Sequence, residues 1–332
     1  MEKKRWVSLW VLFLAVVALS PSADAATWKI SHVRPQGTAI DTDLTWFSDT
    51  LKQATNGKIT TKIYPASALG DYTVVQERVG LGAIDMACQP PASAADKRFQ
   101  VVYFPYMVKN WEQAKNNYAP GAPLRDTVAK LYADQGIHLL AAWPVYFGGI
   151  SMNREPVAPG NPDVSKGIKL RVPPMKTFQL LADTTGYMGT PIPFSDAFTA
   201  VQTGVVDGVI GAGAEGYYAS FRDVTKYYIP ANTHFEVWYL IINKELFDKL
   251  KPEQKKQLQE VAAQFESRRW EAAKADQAAN EKRLADFGAK IVKISDAEIA
   301  ATAKKIKEKV WPVVLEDVGA EWGNSVLKSI VE

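Results

Sequence analysis

Lys58-Ile-Thr-Thr-Lys-Ile-Tyr-Pro65 is followed, across a short helical stretch, by Gly82-Ala-Ile-Asp-Met-Ala87. The first block alternates with period two and reads as a half-buried strand that Pro65 ends; the second reads as a buried strand. Between them Leu69-Gly70-Asp71 leads into a helix running through Val79. Upstream, Trp28–His32 is a short alternating run, the first strand. Asp41–Thr55 then places Leu44, Phe47, Ser48 and Leu51 at helical spacing before the Asn56-Gly57 stop. This β-α-β-α-β order predicts an α/β sheet with largely parallel strands.

The same alternation continues. Asp126–Gln135 reads as a helix and Ile137–Trp143 as an apolar strand. Ile168–Val172 and Val205–Ile210 are further strands, separated by a helix over Ser195–Gln202 that Ser195 or Asp196 would cap. Tyr239–Asn243 is one more buried strand. From Pro252 to Phe287 there is neither glycine nor internal proline, which predicts one helix on the order of 50 Å long at 1.5 Å per residue. Leu258, Val261, Ala262, Phe265, Ala272 and Ala279 give it a modest apolar stripe, so it lies across the globule rather than forming a free coiled coil. Gly288–Ile294 returns to strand, and Ser295-Asp-Ala-Glu298 is a capping box opening a last amphipathic region.

The chain of 332 residues begins with a targeting pattern. Lys3, Lys4 and Arg5 precede the apolar run Trp6–Leu19, and Ala23-Asp-Ala25 offers a cleavage site, so residues 1–25 read as a signal peptide. The run is short of the roughly 20 residues a membrane span needs. The expected product is an exported, non-spanning protein starting at Ala26 and long enough for two lobes. A net charge of +3, evenly interspersed, argues against nucleic-acid binding. Cys88 is the lone cysteine; it excludes a disulfide within the chain and reads as a buried, inert thiol.

Enzyme signatures are poorly represented. Gly211-Ala-Gly-Ala-Glu-Gly216 is a literal G-x-G-x-x-G with Glu236 about twenty residues on. Its context argues against a dinucleotide site: the motif is far from the first strand, aromatics crowd 217–228, and Pro230 interrupts before a parallel strand can follow. A glycine loop for a sharp turn or close approach is the simpler reading. His32, His138 and His234 are too scattered for a zinc site, and His138 reads as a core histidine. No G-x-S-x-G, H-E-x-x-H or P-loop occurs, and Asp207 reads as a turn residue before a general base. No cofactor and no metal is expected.

A binding site is better supported. Gly167-Ile-Lys-Leu-Arg-Val-Pro173 puts Arg171 near a strand end, where a guanidinium is a fork for a carboxylate or phosphate. Pro191-Ile-Pro-Phe-Ser-Asp-Ala-Phe-Thr-Ala-Val-Gln-Thr-Gly-Val-Val-Asp-Gly208 follows about twenty residues later. Aromatics at strand ends, in Trp143-Pro-Val-Tyr146, Pro193-Phe194 and Phe235–Trp238, are candidates for pocket walls, because open α/β sheets bind ligands beyond their strand ends.

These blocks, with Phe104-Pro105-Tyr106, Gly136-Ile137, Lys226-Tyr227 and Ile242-Asn243 in the same order, resemble the extracytoplasmic solute-binding proteins of TRAP transporters. The resemblance runs over nearly the whole mature chain. It implies a two-lobed, periplasmic-binding-protein-like α/β fold with a long helix spanning both lobes. Lobe I would comprise 26–146 plus about 234–275, and lobe II about 147–233 plus 276–332. It also implies a periplasmic carrier that binds an organic acid in the cleft and passes it to a membrane permease, with Arg171 clamping the carboxylate. His32, Arg34, Gln89, Tyr146, Phe194, Glu215, Glu236 and Trp238 are further candidate ligand contacts. Glu215 or Glu236 would bind a ligand amine or hydroxyl or a bridging metal ion, unless each simply sits in a surface salt bridge. Two departures stand out. Glycine occupies the region of a second family arginine in Phe147-Gly-Gly-Ile-Ser-Met-Asn-Arg-Glu-Pro156, and Asp207-Gly-Val-Ile-Gly-Ala-Gly replaces a more polar pattern. These departures make a dicarboxylate or sialic acid less secure than a carboxylate of unspecified, partly apolar or aromatic, character, and the small residues would enlarge the cleft or let backbone amides contact the ligand. An exported enzyme using the same cleft, or an accessory binder for a sensor, are the alternatives.

Overall fold

The computed structural model describes residues 26–330; the export segment read at 1–25 lies outside them. The strands, in chain order, are β1 (Ala26–Ser31), β2 (Ile59–Tyr64), β3 (Met86–Gln89), β4 (Ile137–Phe147), β5 (Gly149–Met152) and β6 (Lys169–Val172). They continue with β7 (Met188–Pro191), β8 (Gly208–Ala212), β9 (Tyr227–Ile229), β10 (Phe235–Asn243) and β11 (Lys290–Ile291). They form a five-stranded sheet ordered β2-β1-β3-β10-β4 and a six-stranded sheet ordered β11-β9-β5-β8-β6-β7.

The first three strands are parallel, as the helical crossovers between them require. Departing from the parallel expectation, β10 runs antiparallel to both β3 and β4. This reversal arises because β4 and β10 carry the chain between the sheets. Gly148 alone separates β4 from β5, and residues 230–234 lead from β9 back into β10. The two crossings are tied together: the Gly148 N–H donates to the His234 carbonyl (2.8 Å) and the Thr233 N–H to the Gly148 carbonyl (2.9 Å).

The helix Pro252–Asp286 is the third crossing, unbroken over 35 residues as its composition predicts. It packs along β4, and the chain then reaches β11 in the second sheet. The last two helices, Trp311–Val318 and Ala320–Ser329, rest on the segment Lys97–Tyr103 that precedes β4, and the second also on the helix Pro123–Ala133. The C-terminal end thus packs beside elements of the first sheet, not only the second.

Local expectations are met with instructive exceptions. The Ser295–Glu298 capping box forms, with Ser295 accepting from the Glu298 N–H. The second-strand block begins later than its apolar run, because 82–85 form a turn and β3 starts at Met86. Neither Ser195 nor Asp196 caps the helix Phe194–Gln202, whose N-cap is Pro193. Instead the Ser195 N–H donates to Asp71 (3.1 Å) on the opposite side of the cleft. His138 is only half-buried, stacked on Phe247 at 3.8 Å.

Candidate functional site

A cavity with about 400 Å³ of empty space, its mouth included, lies between the sheets. Of the residues expected at a site, Arg34, Tyr146, Arg171, Phe194, Glu236 and Trp238 line it. His32, Gln89 and Glu215 do not. His32 faces Asp41 (3.1 Å), and the Gln89 amide donates to the Tyr72 carbonyl (2.8 Å). The wall also includes Tyr72, Tyr103, Met175 and Phe178, which sequence reasoning missed. Tyr72 immediately follows the Leu69-Gly70-Asp71 block, and Met175 and Phe178 follow the Arg171 block. Proximity to those blocks was the available signal.

Arg171 sits in β6, paired with Thr190 of β7 and Val209 of β8, close to the strand's carboxyl end. It is 1% exposed. Its Nε donates to the Ile192 carbonyl (2.8 Å), and among the described residues no carboxylate lies within salt-bridge range of it. Burial pulls its pKa down, with Tyr72 and Asp71 opposing the shift, yet a guanidinium keeps its charge. A buried cation with two uncommitted nitrogens and no acid beside it has the chemistry to take an anion.

The other charges in the wall are paired. Arg34 is 2% exposed and donates through Nε to Glu215 (2.9 Å) on the helix Ala214–Phe221. Its guanidinium lies 4.8 Å from the Phe194 ring centre and 4.9 Å from that of Trp238, a sandwich that suits a weakly hydrated cation. Glu236 accepts from the Trp238 indole N–H (2.7 Å) and Tyr103 hydroxyl (3.3 Å), and its other oxygen is 3.0 Å from His234 Nε2. Both acids sit in buried pairs rather than surface ones. Among the described residues no cluster of three or more His, Cys, Asp or Glu side chains is placed to hold a metal.

The glycines have a steric purpose. A Cβ on Gly213 would meet the Tyr146 ring at 2.5 Å, and one on Gly216 would meet the Arg34 guanidinium at 2.5 Å. The G-x-G-x-x-G therefore spans the end of β8 and the first turn of the helix Ala214–Phe221, as a dinucleotide loop would, but its space is filled by this protein's own side chains. Gly148 and Gly149 do not widen the cleft as expected. A Cβ on Gly148 would strike His234 at 2.2 Å, and one on Gly149 would strike Tyr228 at 2.5 Å.

An unpaired buried arginine, walled by aromatic rings and clasped between two sheets joined by three crossings, has the architecture of a cleft receptor for a small anion. Comparison with known proteins gives the class its family. The profile of bacterial extracellular solute-binding protein, family 7, matches residues 30–316, and the chain belongs to that family, whose members serve TRAP transporters. It is a solute receptor rather than an enzyme. It is similar to a solute-binding protein of Albidiferax ferrireducens (27% identical, 90% of this chain and 88% of the relative). It is also similar to the C4-dicarboxylate-binding periplasmic protein DctP of Rhodobacter capsulatus (26%, covering 93% and 92%). Among solved structures, the fold matches a TRAP periplasmic solute-binding protein of Haemophilus influenzae with bound L-gulonate (TM-score 0.83, 24% identical, covering 92% and 98%). It likewise matches a Bordetella pertussis extracytoplasmic receptor binding pyroglutamic acid (TM-score 0.81, 22%, covering 92% and 99%).

Proposed function

We propose that this chain captures a small carboxylate in the periplasm and delivers it to a TRAP permease, with Arg171 as the carboxylate anchor. The observation that carries the anchor is the buried guanidinium of Arg171, which no acid among the described residues neutralises. Its planar fork matches a carboxylate bidentately, and the closed cleft keeps the pair from water. The relatives' named ligands, a C4-dicarboxylate, L-gulonate and pyroglutamic acid, are all acids. Two lobes, one on each sheet, would close over the ligand about the crossings at Gly148, 230–234 and the long helix. Among the described residues no helix is long and apolar enough to cross a membrane; the targeting pattern of residues 1–25 supports export to the periplasm.

Mass spectrometry of ligand released by denaturing the purified protein should identify a carboxylate. With that acid, Arg171→Ala should lose at least ~100-fold in affinity by calorimetry, the worth of a charge-assisted bidentate pair. Its urea midpoint should stay near wild type, because the variant removes a buried charge that has no internal acid partner. Wild-type affinity in Arg171→Ala would sink the assignment.

A further inference from the structure

Resting on the reading of the cleft as a carboxylate receptor, we propose that its ligand is a small aromatic monocarboxylate. The charge of the cavity comes first. Arg34 is spent on Glu215 and stacked between two rings, and Glu236 is spent on Trp238, Tyr103 and His234. Arg171 is the one cation of the wall that has no acid partner among the described residues. One carboxylate therefore finds a counter-ion. A second would be buried near Glu236 with only Arg34, already neutralised by Glu215, as a cation beside it, and burying a charge without its own counter-ion is strongly unfavourable.

The hydroxyl-bearing acids fail on a different count. The wall contains no Ser, Thr, Asn, Gln, Asp, Lys or His side chain. Its side-chain hydroxyls are phenols: Tyr103 shares its one proton between Glu236 (3.3 Å) and the Val237 carbonyl (3.2 Å), while Tyr146 accepts from Arg34 (3.4 Å) and keeps its own O–H to donate. Of the three phenols of the wall, Tyr72 alone has a hydroxyl with no hydrogen-bond partner among the described residues. Burial raises its pKa while Arg171 pulls it down, so it stays a neutral phenol, able to donate to the same carboxylate. Beyond Arg34, Arg171, Glu236 and the phenol hydroxyls the lining is apolar, so a sugar acid with about four or five hydroxyls would leave several against ring faces, and each unpaired one costs on the order of tenfold in affinity.

What the cavity does offer is flat apolar surface. Tyr72, Tyr103, Tyr146, Phe178, Phe194 and Trp238 present rings from both sides of the cleft, with Met175 and Val33 between them. Ring faces and edges receive another aromatic ring in stacked or edge-on contact, and thioether sulfur also favours aromatic neighbours. A planar body ending in one carboxylate uses every feature of this wall.

The test uses the full mature protein, freed of carried-over ligand by unfolding in urea and refolding. Binding of benzoate, phenylacetate, benzamide, succinate and L-gulonate is then measured by calorimetry. The expected result is that benzoate or phenylacetate binds at least ~100-fold more tightly than succinate or L-gulonate, that benzamide does not bind, and that Phe194→Ala weakens the aromatic acid at least ~10-fold. Succinate or L-gulonate binding as tightly as the aromatic acids would overturn the aromatic assignment and leave the carboxylate receptor standing. Benzamide binding as well as benzoate would overturn the role of Arg171 itself.

Discussion

Two buried arginines face the same cavity, and their partners separate their roles. Arg34 has Glu215 at 2.9 Å, 181 residues away in sequence, whereas Arg171 has only a carbonyl. Arg171 was legible as a candidate because a strand-end guanidinium advertises its own chemistry. The commitment of Arg34 was not, because a pairing across such a separation exists only once both sheets are assembled. His32 illustrates the same limit: its residue type suggested a ligand contact, while folding turns it to Asp41. Burial lowers the pKa of His32, Asp41 raising it less, with the charges of Arg34 and Glu215 also facing it. The sign of the pH dependence follows. The unfolded chain takes up the proton near pH ~6.5, before the folded one does. Stability is therefore complete above that pH and lost as pH falls below it toward the folded value. His138 shifts the same way, through burial first. His32→Gln keeps a donor for Asp41 without the titration. The stability advantage of wild type over this variant, by urea unfolding, should shrink between about pH 7.5 and about pH 5.5. An advantage that stays constant or grows would refute the assignment.

At the scale of elements, the helix Pro252–Asp286 was the plainest part of the sequence, yet its purpose was not. Its apolar stripe is thin, and Glu266, Arg269 and Asn280 are buried among its hydrophobic residues. The reason lies in β4, which forms an edge of the first sheet. An edge strand leaves backbone groups unpaired, and the helix satisfies them with side chains. Glu266 accepts from the Ala142 N–H (2.7 Å), Arg269 donates to the Pro144 carbonyl (2.8 Å), and Gln277 accepts from the Phe147 N–H (2.9 Å). Periodicity records where a helix is apolar, not which polar residue meets which strand. Glu266 also pairs with Arg125 at 3.2 Å. Glu266→Ala should thus cost about 3–5 kcal/mol, since it strands a buried arginine and a buried N–H. Glu266→Gln, which keeps an acceptor for Ala142, should cost clearly less. Urea unfolding of the two variants distinguishes this edge-covering role from simple packing, for which both would cost alike.

At the scale of the molecule, the two sides of the cleft are held by contacts other than those any ligand would make. One is the buried Arg34–Glu215 pair. The other is Asp71, which accepts from the Thr73 N–H (3.1 Å) to cap the helix Tyr72–Gly80 and from the Ser195 N–H (3.1 Å) in the first turn of Phe194–Gln202. One carboxylate thus serves two helix N-termini, one from each side, where helix dipoles favour negative charge. Asp71 is outside the cavity wall, so its effect on binding reports on closure. Apparent affinity falls in proportion to the population of the competent, closed form. Its charge also acts on Arg171, which sets up a decisive sign. If Asp71 mattered only through that field, removing it would leave Arg171 a stronger anion site and tighten binding. If it latches the cleft, removing it should weaken binding, by roughly 5- to 10-fold for an exposed charge-assisted hydrogen bond worth about 1–1.5 kcal/mol. Calorimetry of Asp71→Ala with the native acid should therefore show weaker binding, while small-angle scattering of the ligand-free variant shows a more open form. Tighter binding by Asp71→Ala would rule out the latch.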